Sequence, residues 1–472
     1  MSGNTLSRFF NRHFRIQENG SSLRTEMIAG LTTFITAAYI LVLNPQIMSS
    51  PYEIINPAMA GKIYNGVFIG TCLAAFLGTM LVSMLANSPL VQAPGMGLNA
   101  FFAYTVVLGM GYSYNQALVI VFISGLLFIL ITKIGLREAI IRSIPECVKK
   151  AITPGIGLFI TIIGLKNSGL VVGNSATLVG LLDFSAWRSN PECLTVIAGA
   201  LIALFGLIFT VILYAKKVKG AIFISIITCT IIGIPFGVTN ISNFSFSIAD
   251  KVHDFFEVSF FHLDFKGLFA GQNFFHALFT VMMLVISFSL VNMFDSIGTL
   301  LGAGRQSGLM EENGDMVNMK EALMADAIST AAGALLGTST VSTISESSAG
   351  IAEGGRTGMT SFTTALLFLG SIIFAPVVGI IPGAATAPAL IFVGVMMLSS
   401  IKDVDFTDIR DALPSFCTIV FMPFTYSIAN GIALGLITYC IVSTFTGRRK
   451  EVKGLTWIVS LVFILRYALM SI

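Results

Sequence analysis

Apolar stretches long enough to cross a bilayer recur along this chain almost without pause. They fall near 26–44, 64–85, 115–133, 153–171, 194–214, 219–237, 275–301, 319–337, 359–378, 384–400 and 428–446. A less regular stretch covers 412–427, and a last one covers 455–470. About 20 helical residues span the roughly 30 Å of hydrocarbon in a bilayer. Only 11% of the 472 residues are charged, against about 25% in an ordinary soluble domain, so the chain cannot clothe itself for water. In hydrocarbon every backbone N–H and C=O must be satisfied within the protein, which leaves helices or closed barrels. Runs of this length predict helices. The expectation is an all-α polytopic membrane protein, one body in the lipid bilayer rather than several soluble domains.

Charge then sets orientation and narrows function. The net charge of +3 is small, and no nucleic-acid partner is expected. Basic residues cluster in short loops: Arg8, Arg12, Arg15 and Arg24; Lys133, Arg137, Arg142, Lys149 and Lys150; Lys216, Lys217 and Lys219; Arg448, Arg449 and Lys450. Cytoplasmic loops carry the excess of Lys and Arg. Residues 1–25 therefore read as the cytoplasmic N-terminus of a multi-pass protein of the cell membrane. No apolar run precedes Met27, so no cleavable signal is expected and the first span serves for insertion. The stretch 238–274, with Asp250, Asp254, Glu257 and Asp264 among many Phe, reads as an extracellular surface loop. The mixed segment 138–150 reads as interfacial. The six cysteines and four histidines show no metal-ligand spacing. No metal, no catalytic residues and no bound cofactor are expected, and a membrane enzyme lacks its nucleophile–base pair.

Two further apolar segments, 91–109 and 339–353, are broken by Pro, Gly, Ser and Thr. The first runs NSPLVQAPGMGLNAFFAY from Asn87 to Tyr104. Pro94, Gly95 and Gly97 do not sit comfortably in a continuous helix. The pattern predicts an extended stretch, then a short helix starting near Pro94. The second runs GTSTVSTISESSAGIAEGGRTG from Gly337 to Gly358. Its Ser/Thr-rich start is extended or capping in character, with a short helix from about Ser345. Non-helical backbone at membrane depth is tolerated only when buried in protein or lining a cavity. Two helix N-termini meeting there would offer free N–H groups to a polar ligand; the alternative is a pair of ordinary kinked helices. The order of features repeats: spans, broken segment, span, Ile-Pro (144–145, then 381–382), spans. An odd number of segments per half inverts one half against the other, the pattern of secondary transporters with a midplane site. The first repeat covers 26–237 and the second 275–446, with 447–472 as a C-terminal segment in which the role of 455–470 stays open.

Three acidic residues lie inside apolar sequence: Asp295 in FSLVNMFDSIGTLLG, Asp326 in ALMADAISTAAGALLG, and Glu346 in the second broken segment. A charge at the bilayer centre costs about 2.5–3.5 kcal/mol on insertion scales, so such residues are functional candidates. Asn292, Asp295 and Thr299 share one helix face. Asp326 is read as structural, holding a neighbouring cap. Asp295 and Glu346 have no basic neighbour in sequence. One can accept from N–H groups of a neutral planar ligand, and either can carry a coupling proton. Asn99 offers both a donor and an acceptor. Phe101, Phe102 and Phe294 can stack on an aromatic ring. No Arg or Lys lies in these segments before Arg356, which argues against a phosphate, sulfate or carboxylate substrate.

The motifs APGMGLNAFF at 93–102, NMFDSIGTL at 292–300 and the whole of 337–358 resemble the three signatures of the AzgA-type purine permeases. These belong to the nucleobase–cation symporter family 2, and the similarity runs from 25–45 to 447–452. The resemblance implies fourteen segments in two inverted sevens, uracil-permease-like, with half-helices in segments 3 and 10. It implies a core domain at about 26–133 plus 275–378 and a gate domain at about 138–237 plus 384–446. It implies import of adenine, guanine or hypoxanthine in symport with protons, by sliding of the core. Asp295, Glu346 and Asn99 match the family's acidic and polar positions. Thr299 falls where uracil permeases place a histidine, and Ser345 replaces a larger apolar residue. A homodimer through the gate is implied by analogy of fold. The second reading is an anion transporter or channel on the same fold.

Overall fold

The computed structural model describes residues 5–135, 143–174, 177–188, 193–241, 247–269, 274–309 and 316–469. The side chains at 5–9, 187, 290, 294, 297–298, 301–302, 305–306, 378, 466 and 469 are not described. Arg137, Arg142 and the start of segment 138–150 therefore lie outside the described residues, as do the side chains of Arg8 and Phe294. Among the described residues nine helices are long and apolar enough to cross a bilayer. The all-α polytopic architecture expected from the apolar runs is the one the chain adopts. It divides into two compact units: Met1–Ile134 with Ser245–Gly379, and Gly135–Phe244 with Ile380–Ile472.

In the first unit the apolar run at 26–44 continues to Ile55 as two helices, Leu23–Ala37 and Ile40–Ile55. Between them the bonding tightens to the three-residue pattern, Leu41 N to Ala38 O (3.2 Å) and Val42 N to Tyr39 O (3.1 Å). Helix Pro57–Leu85 starts on proline, whose missing N–H has no intrahelical partner to lose there. The two broken segments are not kinked helices. Each runs extended over three residues, Gln92–Pro94 and Val341–Thr343, then turns into a short helix, Met96–Ala100 and Ser347–Ala352. Both short helices begin two residues later than the sequence pattern suggests. Gly95 and Glu346 take the capping positions instead. Buried Glu26 crosses from the first helix to accept from Arg356 N (3.0 Å), Thr360 N (3.2 Å) and Thr360 Oγ1 (2.6 Å). It thereby satisfies the free N–H groups at the start of helix Gly358–Gly370.

The stretch 238–274 is not simply a surface loop. It holds a helical turn, Ile248–Asp254, and then buries Phe255, Val258 and Ser259. Ser259 seats on Gly337, the left-handed residue (φ +76°) that ends helix Met319–Leu335. Polar ties hold the rim, Lys62 to Glu257 at 2.5 Å and Asn65 to Asp254 at 2.6 Å. The reason is steric: a Cβ at Gly337 would lie 2.3 Å from Ser259 Cβ, so the glycine and the inward turn require each other.

The second unit carries the other half of each repeat. Pro145 and Pro382, the two Ile-Pro sites, each cap a long helix, Glu146–Asn167 and Gly383–Leu398. Residues 146–150 thus begin a membrane-length helix. The two helices cross at Gly157 and Gly394, where a Cβ on either would meet the other's carbonyl oxygen at 2.7 and 2.5 Å. Small residues of this kind let backbones approach within a bilayer, where no hydrophobic drive presses helices together. A hairpin pairs Val171–Asn174 with Leu178–Leu181. The irregular run 412–427 is a helix, Ile409–Phe424, and the last run forms Gly454–Leu469.

Gly337→Ala is expected to lower the melting temperature of the detergent-solubilised protein by several degrees. The left-handed backbone alone costs a Cβ about 1–2 kcal/mol, and the clash adds to it. Gly61→Ala, in the helix Pro57–Leu85 with nothing within 4 Å of its Cβ, should be neutral or mildly stabilising. Equal melting curves for both variants would contradict the packing described.

Candidate functional site

The site grows from a two-stranded antiparallel ribbon buried in the first unit. Gln92 faces Thr343, Ala93 faces Ser342, and Pro94 faces Val341. Each broken segment therefore supplies the backbone partners that the other lacks. Beneath the ribbon lies Asp326, wholly buried. Its Oδ1 accepts from the Gln92 side-chain amide and from Thr343 Oγ1 at 2.9 Å. Ser329 Oγ donates to Gln92 Oε1 at 2.7 Å. Thr330 Oγ1 donates to Val341 O at 2.9 Å and accepts from Asn292 Nδ2 at 3.0 Å. Asp326 is thus spent on holding the two strands together.

The first short helix starts at Gly95, whose backbone is extended. A methyl group there would lie 3.3 Å from Ser342 Oγ and 3.6 Å from Asp295 Oδ2. The helix terminus thus lies against the carboxylate, and a side chain there would crowd Ser342 rather than Asp295. One turn into the short helix sits Asn99, with no exposed surface. Neither its amide nitrogen nor its carbonyl oxygen has a partner, and the hydroxyls of Thr340, Ser339 and Ser296 have none either. Such groups cost about 1–3 kcal/mol each when left unpaired, and a concentration of them marks a place built for something else.

Glu346 caps the second short helix. Its Oε1 accepts from Tyr39 Oη at 2.5 Å, and its Oε2 from Ser345 Oγ at 3.3 Å. Among the described residues no basic side chain pairs with Asp295 or Glu346. Arg356, the nearest in sequence to Glu346, turns Nη1 to Ile351 O and Gly355 O, both at 2.7 Å. It serves the carboxyl end of the short helix, where a cation is favoured.

The sequence candidates thus divide. Asn99, Gly95, Pro94 and Asp295 gather at the ribbon's first end, and Glu346 with Ser345 at its second. Gly97 lies inside the first short helix. Thr299 bonds back to Asp295 O at 3.0 Å within its own helix, so its hydroxyl is already engaged. Phe102 is wholly buried edge-to-face on Tyr114, with centroids 5.9 Å apart, and Phe101 packs on Phe288 at 4.8 Å. Both rings belong to the packing around the half-helix. Sequence reasoning missed Tyr39, Gln92 and Ser342. Tyr39 sits in an apolar run where nothing distinguishes it from a packing aromatic. The other two were legible in principle: an extended run alternates faces, which places Thr340 and Ser342 on one side and Thr343 on the other.

A polytopic helical body with opposed half-helices around a buried polar site is a membrane transporter. Residues 24–447 match the sequence model described as Permease family. The chain is 38% identical over 462 residues to the adenine permease AdeP of Escherichia coli, covering 96% of this chain and 95% of that one. It is 37% identical over 464 residues to the guanine/hypoxanthine permease PbuO of Bacillus subtilis, covering 96% and 99%. The transmembrane domain of the cyanobacterial bicarbonate transporter BicA matches with a TM-score of 0.61 at 18% identity, over 86% of this chain and 97% of that one, a likeness of fold alone. The chain belongs to the permease family, and the resemblance drawn from the three motifs holds at that level.

Asn99→Ala should leave the melting temperature of the ligand-free protein unchanged or raise it, because it deletes two unpaired buried atoms. Asp326→Ala should lower it by several degrees, because it strands the Gln92 amide and the Thr343 hydroxyl. Thermal unfolding in detergent separates the two, and a comparable loss in both variants would make Asn99 structural.

Proposed function

We propose that this permease imports purine nucleobases, adenine, guanine or hypoxanthine, in symport with protons. The observation that carries the reading is Asn99. A fully buried amide with both polar atoms unpartnered, on the short helix whose capping Gly95 lies against Asp295, matches the edge of a neutral heterocycle, and among the described residues no basic side chain pairs with Asp295 or Glu346. A base edge presents N–H donors and ring acceptors together. Asn99 can meet one of each, and Asp295 and Glu346 accept from N–H groups. The names of AdeP and PbuO, relatives along nearly the whole chain, support purines as the cargo. One proton moving down 100 mV releases about 2.3 kcal/mol, enough for appreciable accumulation. Because every site residue belongs to one unit, the proposed movement carries that unit, with its cargo, as a body. The proposed topology keeps the N-terminus in the cytoplasm, and a homodimer is proposed by analogy of fold.

The second reading, an anion transporter or channel, has the solved relatives of this fold in its favour. The site speaks against it. An anion at the half-helix termini would face Asp295 and Glu346, with which no basic side chain pairs among the described residues, and at 4 Å two like charges repel by about 4 kcal/mol at an effective dielectric of 20.

Uptake of tritiated adenine, guanine and hypoxanthine is expected in a host stripped of its own purine permeases, and a protonophore should collapse it. Uptake indifferent to the protonophore would remove the symport claim. Asp295→Ala and Glu346→Ala should each cut uptake at least about a hundredfold, the scale of about 3 kcal/mol of lost recognition, while the protein still reaches the membrane. Purine-independent chloride or bicarbonate flux in proteoliposomes would favour the anion reading instead.

A further inference from the structure

The second broken segment is gripped at both ends by one helix. Asn44 Nδ2 donates to Thr338 Oγ1 at 2.7 Å and to Thr71 Oγ1 at 2.6 Å. Tyr39, five residues earlier, donates to Glu346 Oε1 at 2.5 Å. Tyr39 sits where helices Leu23–Ala37 and Ile40–Ile55 join through a three-residue-type turn. A tightened turn within a span often marks a functional position, and this one aims a phenol at the cap of the second half-helix. Tyr39 is almost wholly buried, whereas Ser345, the donor to the other carboxylate oxygen, is exposed. The two bonds are therefore unequal: 2.5 Å from a fixed, buried donor and 3.3 Å from a surface hydroxyl.

We infer that Tyr39 is a positioning residue of the substrate site, holding Oε1 of Glu346 so that Oε2 faces the cargo as a hydrogen-bond acceptor. A phenol has one proton to give. Spending it on Oε1 makes that oxygen an acceptor and fixes the side-chain rotamer. The long bond from Ser345 is the one a ligand displaces. The cargo that fits presents an N–H to Glu346 rather than a bare ring nitrogen, which would need a donor there. The inference rests on the nucleobase reading and adds a residue to it.

Tyr39→Phe removes one oxygen and keeps the ring. In the uptake assay with tritiated adenine, guanine and hypoxanthine, the apparent KM for the base carried should rise about tenfold, the scale of one hydrogen bond to a charged group. Vmax per transporter should stay within about twofold, and the melting temperature should barely move. An unchanged KM, or a loss confined to Vmax, overturns the inference. A wild type that carries none of the three bases sinks the nucleobase reading and this inference with it; a wild type that carries one, matched by Tyr39→Phe, sinks the inference alone. Where Tyr39→Phe fails to reach the membrane, the double variant Tyr39→Phe/Glu346→Gln decides. Neutralising the carboxylate removes the need for the hydroxyl, so the double variant should be recovered. Failure of the double variant too assigns Tyr39 to packing and overturns the proposal.

Discussion

Six residues of extended chain, Gln92–Pro94 and Val341–Thr343, lie buried in a unit whose other described elements are helical. Hydrocarbon offers no partner to a free amide, so neither stretch can exist without the other. Pairing across the pseudo-repeat solves the backbone problem for both halves at once. The side chains then fix the arrangement: Gln92 and Thr343 converge on one buried carboxylate oxygen of Asp326. That single convergence sets where the two half-helices start and therefore what stands at their termini.

Around the ribbon the treatment of buried polar groups changes character. Away from it they are paired closely. Ser83 donates to Gly358 O at 2.7 Å, Ser361 to Ser88 O and Leu90 O, and Glu26 accepts from three backbone amides. Around the ribbon and the first short helix, Asn99, Thr340, Ser339 and Ser296 hold unpaired atoms. A fold that satisfies Glu26 so fully had the means to satisfy Asn99. The unpaired set is better understood as recognition capacity kept open at the expense of stability, a trade common at functional sites.

Much of this was legible in the chain itself, and the illegible part has a common cause. Pro94, Gly95 and the Ser/Thr run announce the broken segments because helix propensity is local. Asp295 and Glu346 announce themselves because charge in apolar sequence is rare. The exact helix starts were missed by two residues because the ribbon, a contact across some 250 positions, decides where each helix can begin. Tyr39 and Ser259 were invisible for the same reason. Tyr39 reads as one more aromatic in a span, and Ser259 as a loop residue, until the tertiary fold places them against Glu346 and Gly337. Asp326 is the instructive middle case. Its charge marks it as unusual, but only its partners show that it is committed to architecture.

The likeness to BicA and the membership in the permease family answer different questions. A TM-score of 0.61 at 18% identity shows a shared fold and leaves the cargo open. Both half-helices present N-terminal dipoles, which by themselves favour an anion. In this chain those termini carry carboxylates: Glu346 is the cap itself, and Asp295 stands before Gly95. The acids set negative charge of the protein's own at these termini, which supports the proposed neutral cargo over an anion. A neutral cargo rich in N–H groups then sees the carboxylates, not the dipoles. On the proposed reading, the class of substrate follows from the protein itself supplying the negative charge at the helix ends.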